Sequence, residues 1–277
     1  MAAARAALPA VARVATVSPP ADLLRRLVAS DPGRPRVTVY DDTDSPTRGE
    51  RVELSARVLA NWVAKAANLL QEDLDVTPGS VVRLDLPPHW RTLYWALAVW
   101  SVGACVELPA HRCRDAVGPG AGSAPDAVGP SATPPDGATV VVTDDSGAAA
   151  RAVEDGDHAV LVTLAALARA ASVAVPVGAV DEAKDLATHG DVFDPWDEPD
   201  PADPALRTPA GETPYAEIVP ERATGGRVHT ATPDTAVFLA TTLDAWAGDG
   251  SVVLGRGEPA ADVLAARLAA EGVTRPA

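Results

Sequence analysis

The segment VVRLDLPPHWRTLYWALAVWSVGACVELP, residues 81–109, limits the possible folds more than any other part of the chain. An apolar strand pattern ends at two prolines, a stretch with a broad apolar helical surface follows, and a second apolar strand closes the unit. Strand, helix, strand in this order requires a right-handed crossover and two parallel strands. The pattern recurs at ATVVVTDD, SGAAARAVE and HAVLVT, two buried strands around a short helix, with LAALARAAS expected to be a further helix. The fold class is therefore α/β, a mostly parallel sheet flanked by helices.

Other elements attach to this frame. ADLLRRLVASDPGRP puts Leu23, Leu24, Leu27 and Val28 on one helical face and stops at Pro32 and Gly33. RVTVYDD and RVELS, separated by SPTRGE, read as a hairpin. Val58, Leu59, Trp62, Val63, Ala66, Leu69 and Leu70 recur at helical spacing between residues 56 and 74, with Ser55 as cap. Toward the C-terminus come a helix near TPDTAVFLATTLDAWAG, a strand SVVLG and a helix from Pro259 to Gly272. Residues 1–19 are expected to be a disordered tail and 20–277 a single α/β domain. Within it, 114–137 is a Gly/Pro/Ala/Ser insert expected to be mobile, and 181–204 an acidic, proline-rich connector across the surface.

The chain has 277 residues, 47% of them hydrophobic, which suffices for a sizeable core. A formal net charge of −15 repels nucleic-acid phosphates and anionic lipid heads, so neither nucleic acid nor membrane is expected as a partner. The Ala-rich start resembles neither a secretory signal nor a span, so a cytoplasmic location and reduced thiols at Cys105 and Cys113 are expected. Lys65 and Lys184 are the only lysines.

Three stretches carry a resemblance. VELSARVLANWVAKAANLLQEDLDVTPGSVVRLDLPPHWRTLYWALAVWSVGACVELP, ATVVVTDDSGAA and LDAWAGDGSVVLGRGEPAADVLAARLAAEGVT resemble the N-terminal half of adenylate-forming enzymes, the AMP-dependent acyl-CoA synthetases. Ser80 stands where those enzymes usually have Asp. The chain length and THGDVFDPWDEPDPADPAL are similar to a family of short, functionally uncharacterised relatives of that half. The resemblance covers roughly Val52 to Thr274 and implies a truncated synthetase N-terminal domain.

It also implies where a phosphate loop would fall. Such synthetases follow DPALxxT with a loop of the type [ST]-[SG]-G-[ST]-T-G-x-P-K-G, whose glycines let backbone N–H groups approach phosphate while the lysine supplies charge. Here Thr208, Gly211 and Thr213 are the remnants, the only cofactor-binding candidates. Pro214 replaces the next glycine, Ala216 the proline, Glu217 the lysine and Ile218 the final glycine. Pro214 has no N–H to offer and Glu217 opposes polyphosphate. The segment is expected to be a surface turn leading into a helix at YAEIVPERA. The family's GxTE and TGD segments and its catalytic lysine would lie beyond Thr274, where the sequence has Arg275, Pro276 and Ala277.

The remaining candidates read as structural. His111, Cys113 and Cys105 lack zinc-ligand spacing, and no metal site is expected. Asp144 and Asp145 stand at a strand end, where they can cap the next helix or face a ligand. Trp62, Trp90, Trp95 and Trp100 read as core, while His89, after two prolines, is a minor site candidate. His158, His189 and His229 have no recognisable partners, and TGGR at 224–227 is too short for a phosphate cradle. The leading expectation is a degenerate domain with no catalytic residues and no cofactor, which binds a small ligand or a protein. The alternative is half of a split acyl-CoA synthetase, using ATP or AMP and Mg with a complementary chain. A homodimer covering an exposed apolar face is a third possibility.

Overall fold

A computed structural model describes residues 19–110, 140–221 and 223–276. The expected tail, apart from residue 19, and the insert 114–137 lie outside them. The first helix, α1 (Pro20–Ser30), buries Leu23, Leu24 and Leu27 as its spacing dictates. The hairpin follows as β1 (Pro35–Asp41) and antiparallel β2 (Arg51–Ser55). Ser55 then caps α2 (Ala56–Asn68), its side chain accepting from the Val58 N–H, and the last turn widens to a π-turn over Leu69–Asp73.

The crossover forms as read: β3 (Val81–Asp85), α3 (Trp90–Ser101) and β4 (Cys105–Glu107), with the two strands parallel. Next come β5 (Val140–Thr143), α4 (Ser146–Glu154), β6 (His158–Leu161), β7 (Val180–Asp181) and α5 (Glu182–Asp185). The chain continues through β8 (Pro204–Thr208), β9 (Gly211–Pro214), β10 (Arg227–Thr230), α6 (Thr235–Ala247), β11 (Ser251–Arg256), α7 (Ala261–Ala270) and β12 (Arg275–Pro276).

These strands make two sheets where the sequence suggested one. The larger, seven-stranded in the order β7-β6-β5-β3-β4-β8-β9, is parallel except for β9. The five-stranded sheet has the order β12-β10-β11-β1-β2, with only β2 antiparallel. Strand alternation sends Val37, Val39, Val252 and Leu254 of one sheet, and Val140, Val142 and Val160 of the other, into a single connected core. Helices α1, α2, α3 and α6 occupy that shared core. Trp246 of α6 donates to the Arg36 carbonyl of β1 (3.0 Å), and Trp100 of α3 donates to the Ala205 carbonyl of β8 (2.7 Å). The opposite faces carry α4, packed with Val141, Ala159 and Leu161, and α7. The order of layers is helix, sheet, helices, sheet, helix.

Two expected helices are absent. Residues 164–172 form turns and bends held by carboxylates from outside: Glu50 accepts from the Ala166 N–H (3.2 Å), and Asp181 takes the Ala171 N–H (3.0 Å), which in a helix would bond back to the Leu167 carbonyl. Residues 215–219 make turns and bends, with Tyr215 and Ile218 anchored in the core, and Pro220 prevents continuation.

The connector is also less solvated than its composition suggests. Three α2-side residues spaced by three grip its backbone: Lys65 Nζ donates to the His189 carbonyl (2.5 Å), Asn68 Nδ2 to the Gly190 and Val192 carbonyls (3.1 and 2.9 Å), and Gln71 Nε2 to the Asp194 carbonyl (3.2 Å). Lys65 also pairs with Asp191 at 2.7 Å. Glu182, the connector's second residue, is fully buried.

Candidate functional site

The segment where the resemblance would put a phosphate loop is a tight hairpin. Thr208 pairs with Gly211 and Arg207 with Glu212, so β8 and β9 are joined by Pro209 and Ala210 alone. Pro209 has no N–H, and that of Ala210 is bonded to Thr208 Oγ1 at 3.2 Å. The same hydroxyl donates to the Gly211 carbonyl (3.3 Å), and Thr213 lies opposite Leu206. Thr208, Gly211 and Thr213 are thus brought together as ladder residues, around a turn without the row of free amides that a phosphate needs.

Charge beside the hairpin is already balanced. Arg207 donates to Glu212 (2.8 Å) and lies 3.7 Å from Glu107, which also binds Arg83 (2.6 Å). This alternation across β3, β4, β8 and β9 leaves no arginine there uncommitted, and Glu217 is exposed just beyond. Behind the hairpin, Tyr215 donates to the Ala104 carbonyl (2.8 Å), and burial holds its phenol above the ordinary range.

The C-terminal strand ends, where parallel sheets bind ligands, are likewise self-paired. Burial acts to raise Asp41, but bonds from Thr43 and Thr47 (each 2.5 Å) and the Arg256 charge (2.5 Å) outweigh it and hold the carboxyl low. His89 caps α3, Nδ1 accepting from the Arg91 N–H at 3.3 Å. Burial, with Arg256 and Arg91 nearby, keeps its imidazole well below its ordinary pKa and so neutral. Asp145 caps α4, accepting from the Ala148 N–H at 2.8 Å.

One cluster escaped the sequence reading. Arg91 Nη1 meets Glu182 Oε1 at 2.6 Å, with side chains 2% and 0% exposed. Arg91 Nη2 donates to the Ala165 carbonyl (2.9 Å), and its guanidinium lies 4.4 Å from the Trp90 ring centroid. Tyr94 donates to the same carboxylate and stacks on Trp62. The available signal was a lone arginine in the otherwise apolar helix WRTLYWALAVW; its partner, 91 residues away, could not be read.

The other candidates stay apart. Cys105 is buried and its thiol pushed up to about 11 by burial, which disfavours a thiolate nucleophile. His111 and Cys113 lie outside the described residues. His189 lies 3.4 Å from Asp73, His158 is exposed, and the TGGR turn packs bare backbone on backbone: a Cβ on Gly225 would come 2.6 Å from the Gly248 oxygen. Among the described residues no group of three His, Cys, Asp or Glu side chains could hold a metal, and no helix is long and apolar enough to cross a membrane.

No family model matches the chain. A TIGR03089 family protein of Mycobacterium tuberculosis is 46% identical over 82 residues, 30% of this chain and 32% of that protein. Among solved structures, an acyl-CoA synthetase of Brucella canis superposes with a TM-score of 0.63 at 17% identity, over 92% of this chain and 46% of that one. Coronafacic acid ligase of Pectobacterium brasiliense gives 0.60 at 10% identity, over 93% and 49%. The N-terminal subdomain of Klebsiella oxytoca NpsA gives 0.53 at 14%, over 94% and 61%. The chain thus spans about half the length of the two ligases it superposes on. It has the α/β fold of the N-terminal half of adenylate-forming enzymes.

Proposed function

We propose that this chain is a degenerate adenylate-former-like domain that does not activate acids by itself and acts by binding a small ligand or a protein. The observation that carries this is the hairpin at Thr208–Gly211, closed by two residues and flanked by Glu212 and Glu217 with no lysine. A triphosphate there would meet like charge and committed amides. No cofactor enters this reading.

The purified chain incubated with ATP, magnesium and a panel of carboxylic acids should release no pyrophosphate above a protein-free blank. Saturable release by the chain alone would overturn the proposal. The rival, one half of a split acyl-CoA synthetase, is favoured by the partial coverage of the matched ligases. It requires nucleotide to seat on this chain, so a concentration-dependent rise in thermal midpoint with Mg-ATP or AMP would count for it.

A further inference from the structure

Helix α7 covers the outer face of the five-stranded sheet without burying any of its own residues fully. Between helix and sheet lies a hollow of about 240 Å³, lined by Tyr40, His229, Val253, Gly255, Leu264 and Leu268. A second hollow of about 310 Å³ lies against the same His229 and Leu268.

The lining is specific in what it leaves unmatched. Tyr40 donates to Glu271 (2.6 Å), and Arg267 is bidentate on Asp42 (2.5 and 3.0 Å) while lying 4.6 Å from the Tyr40 ring centroid. His229, in contrast, makes no side-chain hydrogen bond or ion pair among the described residues. Burial lowers its pKa, so the imidazole that faces the hollow is neutral and can either donate or accept. The floor is open because residue 255 is glycine: a Cβ there would stand 3.2 Å from His229 Nε2. The rim is fixed at Gly257, with φ of +79° and no room for a Cβ against the Asp42 backbone (2.6 Å).

We propose that the hollow under α7 binds an uncharged, ring-sized organic molecule through apolar contacts with Tyr40, Val253, Leu264 and Leu268 and one hydrogen bond to His229. This deepens the binding-domain reading, on which it rests, by giving it a site and a ligand class. Size argues for a single ring: an apolar cavity of about 150 Å³ holds benzene, so about 240 Å³ holds a ring with a short substituent. Charge argues for neutrality. Glu258 in the lining opposes an anion, Arg267 is already paired with Asp42, and the unpaired polar side chain facing the hollow, His229, is neutral and compensates no buried charge of either sign.

The test is a titration of the nitrogen-15-labelled full chain with benzyl alcohol, benzamide, benzoate and benzylamine, read at the amides of His229, Gly255 and Gly257. The two neutral probes should give saturable shifts, with benzoate and benzylamine about tenfold weaker or more. Gly255→Ala, which fills the floor, and Leu264→Trp, which fills from the helix side, should each weaken benzyl alcohol about tenfold or more; the second retains the test if the first disturbs the strand. Absence of saturable shifts from both neutral probes, or undiminished binding in folded Leu264→Trp, overturns the site. Pyrophosphate release is a separate reading. A chain that ignores both benzyl alcohol and ATP loses this site but keeps the non-adenylating role, whereas one that releases pyrophosphate loses that role whatever the ring probes do.

Discussion

Replacing Glu182 by Gln should destabilise this protein out of proportion to the change of one atom. The exchange keeps the shape and an acceptor for Tyr94 but removes the charge opposite Arg91, whose side chain is 2% exposed. A buried ion left without its counter-charge costs about 3–5 kcal/mol, and the surviving carbonyl offsets part, so a loss of about 3 kcal/mol is expected. Against a typical domain stability of about 5–15 kcal/mol this is a large fraction. The double variant Arg91→Met with Glu182→Leu removes both ions and should lie within about 1 kcal/mol of the parent, or above it. Urea unfolding at pH 7 followed by tryptophan fluorescence reads both, since Trp90 and Trp95 flank the pair. Burial raises the Glu182 carboxyl while Arg91 draws it down, leaving it above its ordinary value. A Glu182→Gln loss under about 1 kcal/mol would therefore mean that the carboxyl already carries a proton, and the charged-pair reasoning would fail. A double variant weaker than the single would refute it equally.

Two further outcomes follow from the geometry. Burial acts to raise Glu271, but Tyr40, Arg51 and Arg227 outweigh it and lower the carboxyl from 4.5 to about 2. Its stabilisation is thus complete above about pH 4.5 and lost as pH falls toward 2, and Glu271→Gln should flatten the urea midpoint against pH across that window; an unchanged slope would contradict the network. Lys65→Met removes the donor to the His189 carbonyl and the partner of Asp191, at an expected cost of about 1–2 kcal/mol, and should speed amide exchange from Asp191 to Trp196. Unaltered exchange there would show that Asn68 and Gln71 hold the connector without it.

The parts of this fold legible in the sequence are those whose apolar spacing is long and local. Helix α2 is set by Leu59, Val63 and Ala66, and the β3–α3–β4 crossover by prolines on one side and continuous burial on the other. What escaped depends on distant partners. LAALARAAS has helical composition, yet Glu50 and Asp181 bind its amides; RVHT is too short to signal a strand until β11 lies beside it. The division into two sheets was hidden for the same reason. At the candidate site, the departure of Pro214 and Glu217 from the phosphate-loop pattern was readable, but closure into a two-residue turn was not. Neither Arg91 with Glu182 nor the bare floor at Gly255 leaves a local pattern.

The outer strands of the larger sheet bear on how another polypeptide could join it. Strand β9 has four residues, ends in a proline and carries Glu212, while β7 at the opposite margin has only two residues. Neither margin offers a length of unpaired backbone on which an incoming strand could extend the sheet. Edge-to-edge growth of this sheet is thereby disfavoured.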